Sequence, residues 1–152
     1  VAMKCGLIDI TNSTNLSLYK SNLSVVKIVE ILLSIPNLDE RIKKGDLSLI
    51  TEISSRTKNE NNVNLFSFAT KYCCYHNIYV YGGDAFSIYD KVMRENLPNY
   101  ITGVSKYKLN QLRENHDYLE YMRIIDEILE NNNITVEFKR RKLDNLLWYY
   151  NR

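Results

Sequence analysis

The sequence has no cysteine framework, no metal-binding motif, no phosphate-cradling loop and no apolar run of membrane length. Its three cysteines are Cys5, Cys73 and Cys74. An odd count with an adjacent pair is a poor basis for disulfides. Neighbours on a helix point about 100° apart, so Cys73 and Cys74 are badly set to bridge each other. Free thiols and a reducing, cytoplasmic compartment are therefore expected. No C-x-x-C or H-x-x-x-H pair occurs. Cys73 and His76 stand at i, i+3, but two ligands do not hold zinc. Gly82-Gly83-Asp84 reads as a turn, not a nucleotide loop. No G-x-S-x-G elbow is present to present a serine nucleophile. These residues call for no metal and no cofactor. No apolar stretch approaches the roughly 18–20 residues that cross a bilayer. Val1-Ala2-Met3-Lys4 carries no signal-peptide pattern, so no membrane partner is expected.

Charge of one sign is also scarce. The formal net charge is +2, with 25% charged and 45% hydrophobic residues. That is ordinary for a globular protein and does not announce nucleic acid, although one basic patch would suffice to bind it. At 152 residues the length predicts one domain, residues 1–152. A chain of this size buries roughly 70% of its unfolded surface without staples. There is no internal repeat, no low-complexity tract and no interdomain linker.

What the sequence does have is helical periodicity, and the predicted fold class is all-α. Residues 1–21 read as a polar, irregular N-terminal segment, with Asn12, Ser13, Thr14 and Asn15 as turn formers. A first helix is predicted over 23–35, with Val25, Val26, Ile28, Val29, Leu32 and Leu33 as its apolar face and Pro36 as its stop. Asn37 and Asp46 are predicted caps of two more helices. The polar stretch 57–64 reads as a loop. The run from Leu65 to His76 is apolar and helical. Residues 78–87 read as a connector, with a short extended piece at Ile78-Tyr79-Val80-Tyr81. Further helices are predicted over 89–96, 105–114 and 117–131. The last of these carries Leu119, Met122, Ile125, Ile128 and Leu129 as a core stripe. Thr135 is the predicted cap of a final helix.

Lys71 lies inside the 65–76 run, and Asp90 stands 19 residues later at the head of the next predicted helix. A buried amine facing a carboxylate can hold two helices together. It can also act as a nucleophile toward a sugar carbon.

Leu65-Phe66-Ser67-Phe68-Ala69-Thr70-Lys71 and Ser87-Ile88-Tyr89-Asp90 together resemble the catalytic segment of helix-hairpin-helix DNA glycosylases, the oxoguanine glycosylase branch in particular. The same segments, with the tail Leu143-Asp144-Asn145-Leu146-Leu147-Trp148, are similar to bacterial proteins described as oxoguanine-glycosylase-like. The resemblance implies a compact multi-helix core acting on double-stranded DNA. It implies Lys71 as the nucleophile and Asp90 as its electrostatic partner. A flipped base would stack on an aromatic side chain, with Tyr72, Tyr75, Phe86 and Tyr89 as the local candidates. In the family a glycine-rich hairpin grips a DNA phosphate. Here the matching stretch has no glycine, which leaves Ser67 and Thr70 near a helix N-terminus as phosphate contacts. The densest basic run, Lys139-Arg140-Arg141-Lys142, supplies further backbone contacts. Two alternatives stand beside this reading. One is a non-catalytic helical module that binds DNA or a protein partner, for instance in a microbial defence system. The other is an enzyme acting on a different nucleotide substrate.

Overall fold

The computed structural model describes residues 1–12 and 24–151. Among the described residues there are nine α-helices and no strand, so the fold is all-α. They are α1 (Ala2–Asn12), α2 (Val25–Leu33), α3 (Leu38–Lys43), α4 (Ser48–Asn61), α5 (Phe66–Tyr81), α6 (Lys91–Asn96), α7 (Lys106–Glu114), α8 (Tyr118–Asn131) and α9 (Lys139–Asn151). One 3-10 turn, Leu97–Asn99, follows α6 and contains Pro98.

Helix α5 is the centre of the molecule. Phe66, Phe68, Ala69, Thr70, Lys71, Tyr72, Cys73 and Cys74 are all buried. A helix that buries side chains all round must be wrapped by others. Helices α1, α3 and α4 pack directly on it, and α4 also meets α2 and α8. On the far side α9 packs on α6 and α8. Helix α8 buries Tyr118, Tyr121, Met122, Ile125, Ile128 and Leu129 at three- and four-residue spacing, which is one helix face. One continuous core runs from Cys5 to Leu147.

Several expectations are corrected. The irregular segment expected over 1–21 is helical from Ala2 to Asn12. Cys5 and Ile8, three apart, are buried on one face, and this packing outweighs the local turn formers. Residues 13–21 lie outside the described residues. The loop expected over 57–64 is helix as far as Asn61. Asn62 ends it in the left-handed conformation (φ 57°), with Val63 N–H donating to Thr57 C=O, the closure that asparagine can supply in place of glycine. The extended piece over 78–81 is the last turn of α5, ended by Gly82 at φ 64°. Its alternation faced no sheet: Tyr79 and Val80 are both exposed. Val26, Leu33 and Leu119 are exposed as well, so the apolar stripes of α2 and α8 are narrower than their sequences suggest.

Helix termini show why local reading fell short. Asn37 occupies the N-cap position of α3, but its side chain makes no capping bond. Helix α9 begins at Lys139, not after Thr135. Its cap comes from a remote loop: the Asp84 carboxylate accepts from Arg140 N–H (3.0 Å) and Arg141 N–H (3.1 Å). A carboxylate at a helix N-terminus satisfies orphan amides and meets the positive end of the dipole.

Candidate functional site

Between α5 and α6, and reaching α9, lies a cleft of about 720 Å³. Lys71 and Asp90 both line it, with Tyr75, Arg141, Asp144 and Trp148 around them. Lys71 stands in the second turn of α5 and is only 6% exposed. Burial pulls its amine below the usual lysine pKa, and the charge of Asp90 pulls the other way. Asp90 is the N-cap of α6, where its side chain accepts from Met93 N–H at 3.0 Å. A capping carboxylate is fixed in direction by the helix it starts.

Asp90 is delivered by an extended strap, residues 85–89, that runs through the core without a partner strand. Buried backbone amides and carbonyls need partners, and here side chains provide them. Asn77 Oδ1 accepts from Ala85 N–H (3.0 Å) while its Nδ2 donates to Ile42 C=O (2.9 Å). Tyr118 hydroxyl accepts from Ser87 N–H (2.9 Å) and donates to Ser87 C=O (2.7 Å). Tyr121 hydroxyl donates to Ile88 C=O (2.6 Å). Thr70 Oγ1 accepts from Tyr89 N–H (3.0 Å). The Asp144 carboxylate accepts from Ser87 Oγ (2.7 Å) and from Ile88 N–H (3.1 Å).

Asp144 is 4% exposed. Burial, chiefly, raises its pKa from 3.8 to about 7, against the two hydrogen bonds and the charge of Arg141. That lift is a preference for the neutral form of roughly 4 kcal/mol. The cleft therefore holds an amine and a carboxyl that burial drives toward their neutral forms, as happens both at functional sites and in buried structural networks.

The expected site residues divide. Lys71, Asp90, Tyr75, Ser67 and Arg141 meet at the cleft. Tyr72, Phe86 and Tyr89, expected as stacking partners, are core residues no more than 2% exposed. Tyr72 meets His76 edge-on, Phe86 stacks on Tyr118, and Tyr89 lies edge-on to Phe66 and Tyr121. None of the three can receive a base without unpacking the core. Thr70 is also corrected. It is buried, and its hydroxyl serves the strap and the Ser67 carbonyl, not a phosphate. The basic run is split. Arg140 holds the Asp126 carboxylate through two bonds of 2.9 Å and the Asp84 carbonyl at 2.8 Å, so it is a structural clamp. The Arg141 guanidinium lies 5.1 Å from the Tyr75 ring centre. Lys139 is half-buried and lies outside the cleft lining.

Asn64, Arg113, Asp144 and Trp148 also line the cleft and are site residues that the sequence alone does not mark. A signal existed for two of them, because Asp144 and Trp148 stand at i, i+4 and share a helix face. Among the described residues no group of three or more His, Cys, Asp or Glu side chains could hold a metal ion. Burial pushes the Cys73 and Cys74 thiols well up, away from the reactive thiolate. No helix among the described residues is long and apolar enough to cross a membrane.

Residues 1–80, over half of the chain, match the family described as HI_0787_N, N-terminal domain, and the chain belongs to that family. It is also similar to an uncharacterised protein of Haemophilus influenzae (strain ATCC 51907 / DSM 11121 / KW20 / Rd), at 29% identity over 143 residues. The match covers 93% of this chain and 64% of that relative, so the chain spans less than two thirds of its relative's length. No solved structure matches the chain.

Proposed function

We propose that this chain is a DNA glycosylase/lyase-like protein that removes a damaged or modified base through Lys71. The observation that carries the reading is the placement of a buried lysine and a helix-capping aspartate on one cleft, with burial depressing the amine. The neutral Lys71 amine attacks the anomeric carbon of the nucleotide. The new bond is Nζ to C1′, and the bond broken is C1′ to the base nitrogen, whose electron pair leaves with the base. The base takes up a proton, and the attacking amine loses its own. Ring opening then gives an imine. Loss of a C2′ proton and departure of the 3′ phosphate complete the elimination. Asp90 faces the positive charge that develops on the sugar. Burial favours the neutral amine that the first step needs, and Asp90 opposes it until the sugar charge forms.

A second reading, a non-catalytic module that binds DNA or a protein, is favoured by one observation. The turn before Lys71 has no glycine, Thr70 is occupied and Arg140 is committed to Asp126, so the expected backbone grip is thin. Borohydride trapping separates the two. A covalent protein–DNA adduct on a lesion-bearing duplex, lost in Lys71→Gln, supports catalysis. No adduct across a panel of lesions favours the binding module.

A further inference from the structure

Among the side chains that hold the segment delivering Asp90, one is a carboxylate. Asp144 reaches from α9 to the strap and uses both oxygens there, Oδ1 on the Ser87 hydroxyl and Oδ2 on the Ile88 N–H. Ile88 is two residues before Asp90. The tyrosine hydroxyls that hold the same strap are fully buried, and burial keeps them far from ionising. Asp144 is thus the one strap-holding group that changes charge near neutrality.

We infer that Asp144 is a positioning residue for Asp90: its buried carboxyl group fixes the strap that sets Asp90 at the cleft, and its ionisation loosens that hold. The effect on catalysis rests on the reading of Lys71 and Asp90 as the reacting pair, while the movement of the strap does not. The physical basis is linkage: a buried carboxyl that keeps its proton in the closed strap would give it up on exposure, so removing the proton favours opening. The bonds from Ser87 and Ile88 are charge-assisted when the group ionises and offset part of that cost.

The groups around Asp144 decide where this happens. From α5 it is faced by Cys74 and Tyr75, from α8 by Tyr118 and Tyr121, and from the head of α6 by Asp90. On its own helix it is faced by Arg141. Burial and the negative charge of Asp90 favour the acid, while Ser87, Ile88 and Arg141 favour the carboxylate. The balance is a pKa of about 7, so both forms are populated at neutral pH. A strap held this way is tightest on the acid side of neutrality and loosens as Asp144 ionises.

The chain carries its own reporter. Trp148 is its one tryptophan. It stands one turn beyond Asp144 and lines the same cleft. The test is a pH titration of Trp148 fluorescence in the intact chain, with hydrogen exchange at the Ile88 amide followed in parallel. Wild type is expected to show a transition near pH 7 that is absent in Asp144→Asn. Ser87→Ala, which removes a bond that favours the carboxylate, is expected to move the midpoint up by about one unit. Ile88 protection, corrected for intrinsic exchange, falls on the alkaline side in wild type only. The inference is overturned if Asp144→Asn keeps the wild-type transition, if Ser87→Ala leaves the midpoint in place, or if wild type shows no transition and constant Ile88 protection. Borohydride trapping against pH separates this inference from the glycosylase reading. No adduct in wild type sinks that reading and leaves the fluorescence result standing. An adduct whose pH profile is the same in Asp144→Asn sinks the positioning role alone.

Discussion

Helix α5 buries a basic side chain on each of two sides, and the two sides handle it differently. On the α1 side, Lys4 donates to His76 Nδ1 at 2.8 Å, and His76 Nε2 lies 3.4 Å from Asp39. With Nδ1 accepting, the ring proton sits on Nε2 and points at the carboxylate. Tyr81 stacks flat on the imidazole at 5.3 Å. On the cleft side, five residues back along the helix, Lys71 faces an open volume and Asp90. Burial lowers the pKa of Lys4, His76 and Lys71 alike. A depressed pKa therefore does not distinguish the two sides. The difference is that the α1 side fills the space around its basic groups with partners, whereas the cleft side leaves room for a substrate. The first arrangement holds helices together, and the second sets an amine on an open cleft.

The sharpest way to break this comparison is mutation of the cleft pair. Lys71→Gln should abolish borohydride trapping, and Asp90→Asn should slow it by about 10²–10³-fold. Asparagine is also a good cap, so Asp90→Asn should keep its melting temperature within a few degrees of wild type. Trapping rates and thermal melts read these two effects separately. Next in size is Arg140, which caps no ligand but joins α9 to α8 and the Asp84 loop. Arg140→Ala is expected to cost about 1.5–3 kcal/mol in urea unfolding, and Lys139→Ala less than about 0.5. On the α1 side, His76→Gln should cost about 1–2 kcal/mol and leave trapping unchanged. If His76→Gln abolished trapping while Lys71→Gln did not, the two sides would have exchanged roles.

The smallest effects are in pH, and their signs differ between the sides. His76 has a folded pKa below 6.5. As pH falls through 6.5 the unfolded chain takes a proton that the folded one does not, so stability falls toward acid. Asp144 has a folded pKa raised to about 7. Its stabilising contribution is complete below its ordinary value of 3.8 and is lost as pH rises through 7. Between about pH 4 and 7 the two contributions therefore oppose, His76 raising the urea midpoint as pH climbs to 6.5 and Asp144 lowering it, and both level off above 7. Asp144→Asn should remove the fall, and His76→Gln should remove the rise.

Much of this was legible in the sequence, for local reasons. The all-α class follows from three- and four-residue apolar spacing, and Lys71 and Asp90 were marked by their positions on consecutive helices. Local patterns could not reveal bonds between residues far apart in the chain. Asp84 caps α9 from 56 residues away. The strap owes its shape to Asn77, Tyr118, Tyr121 and Asp144, none of them near it in sequence except Asn77. Tyr72, Phe86 and Tyr89 read as stacking partners because they flank the pair in sequence, yet helix phase and the strap turn all three into the core. Asp144 was visible only as part of a similar tail. Its weight comes from burial, which no composition shows.

The central proposal is that placement on the cleft, and not a depressed pKa alone, makes Lys71 the nucleophile. The most direct measurement is proteolysis and mass spectrometry of the borohydride-trapped protein–DNA adduct, to locate the modified lysine. The account predicts modification of the peptide carrying Lys71. Modification of Lys4, whose amine is also depressed but whose surroundings are filled, would contradict it.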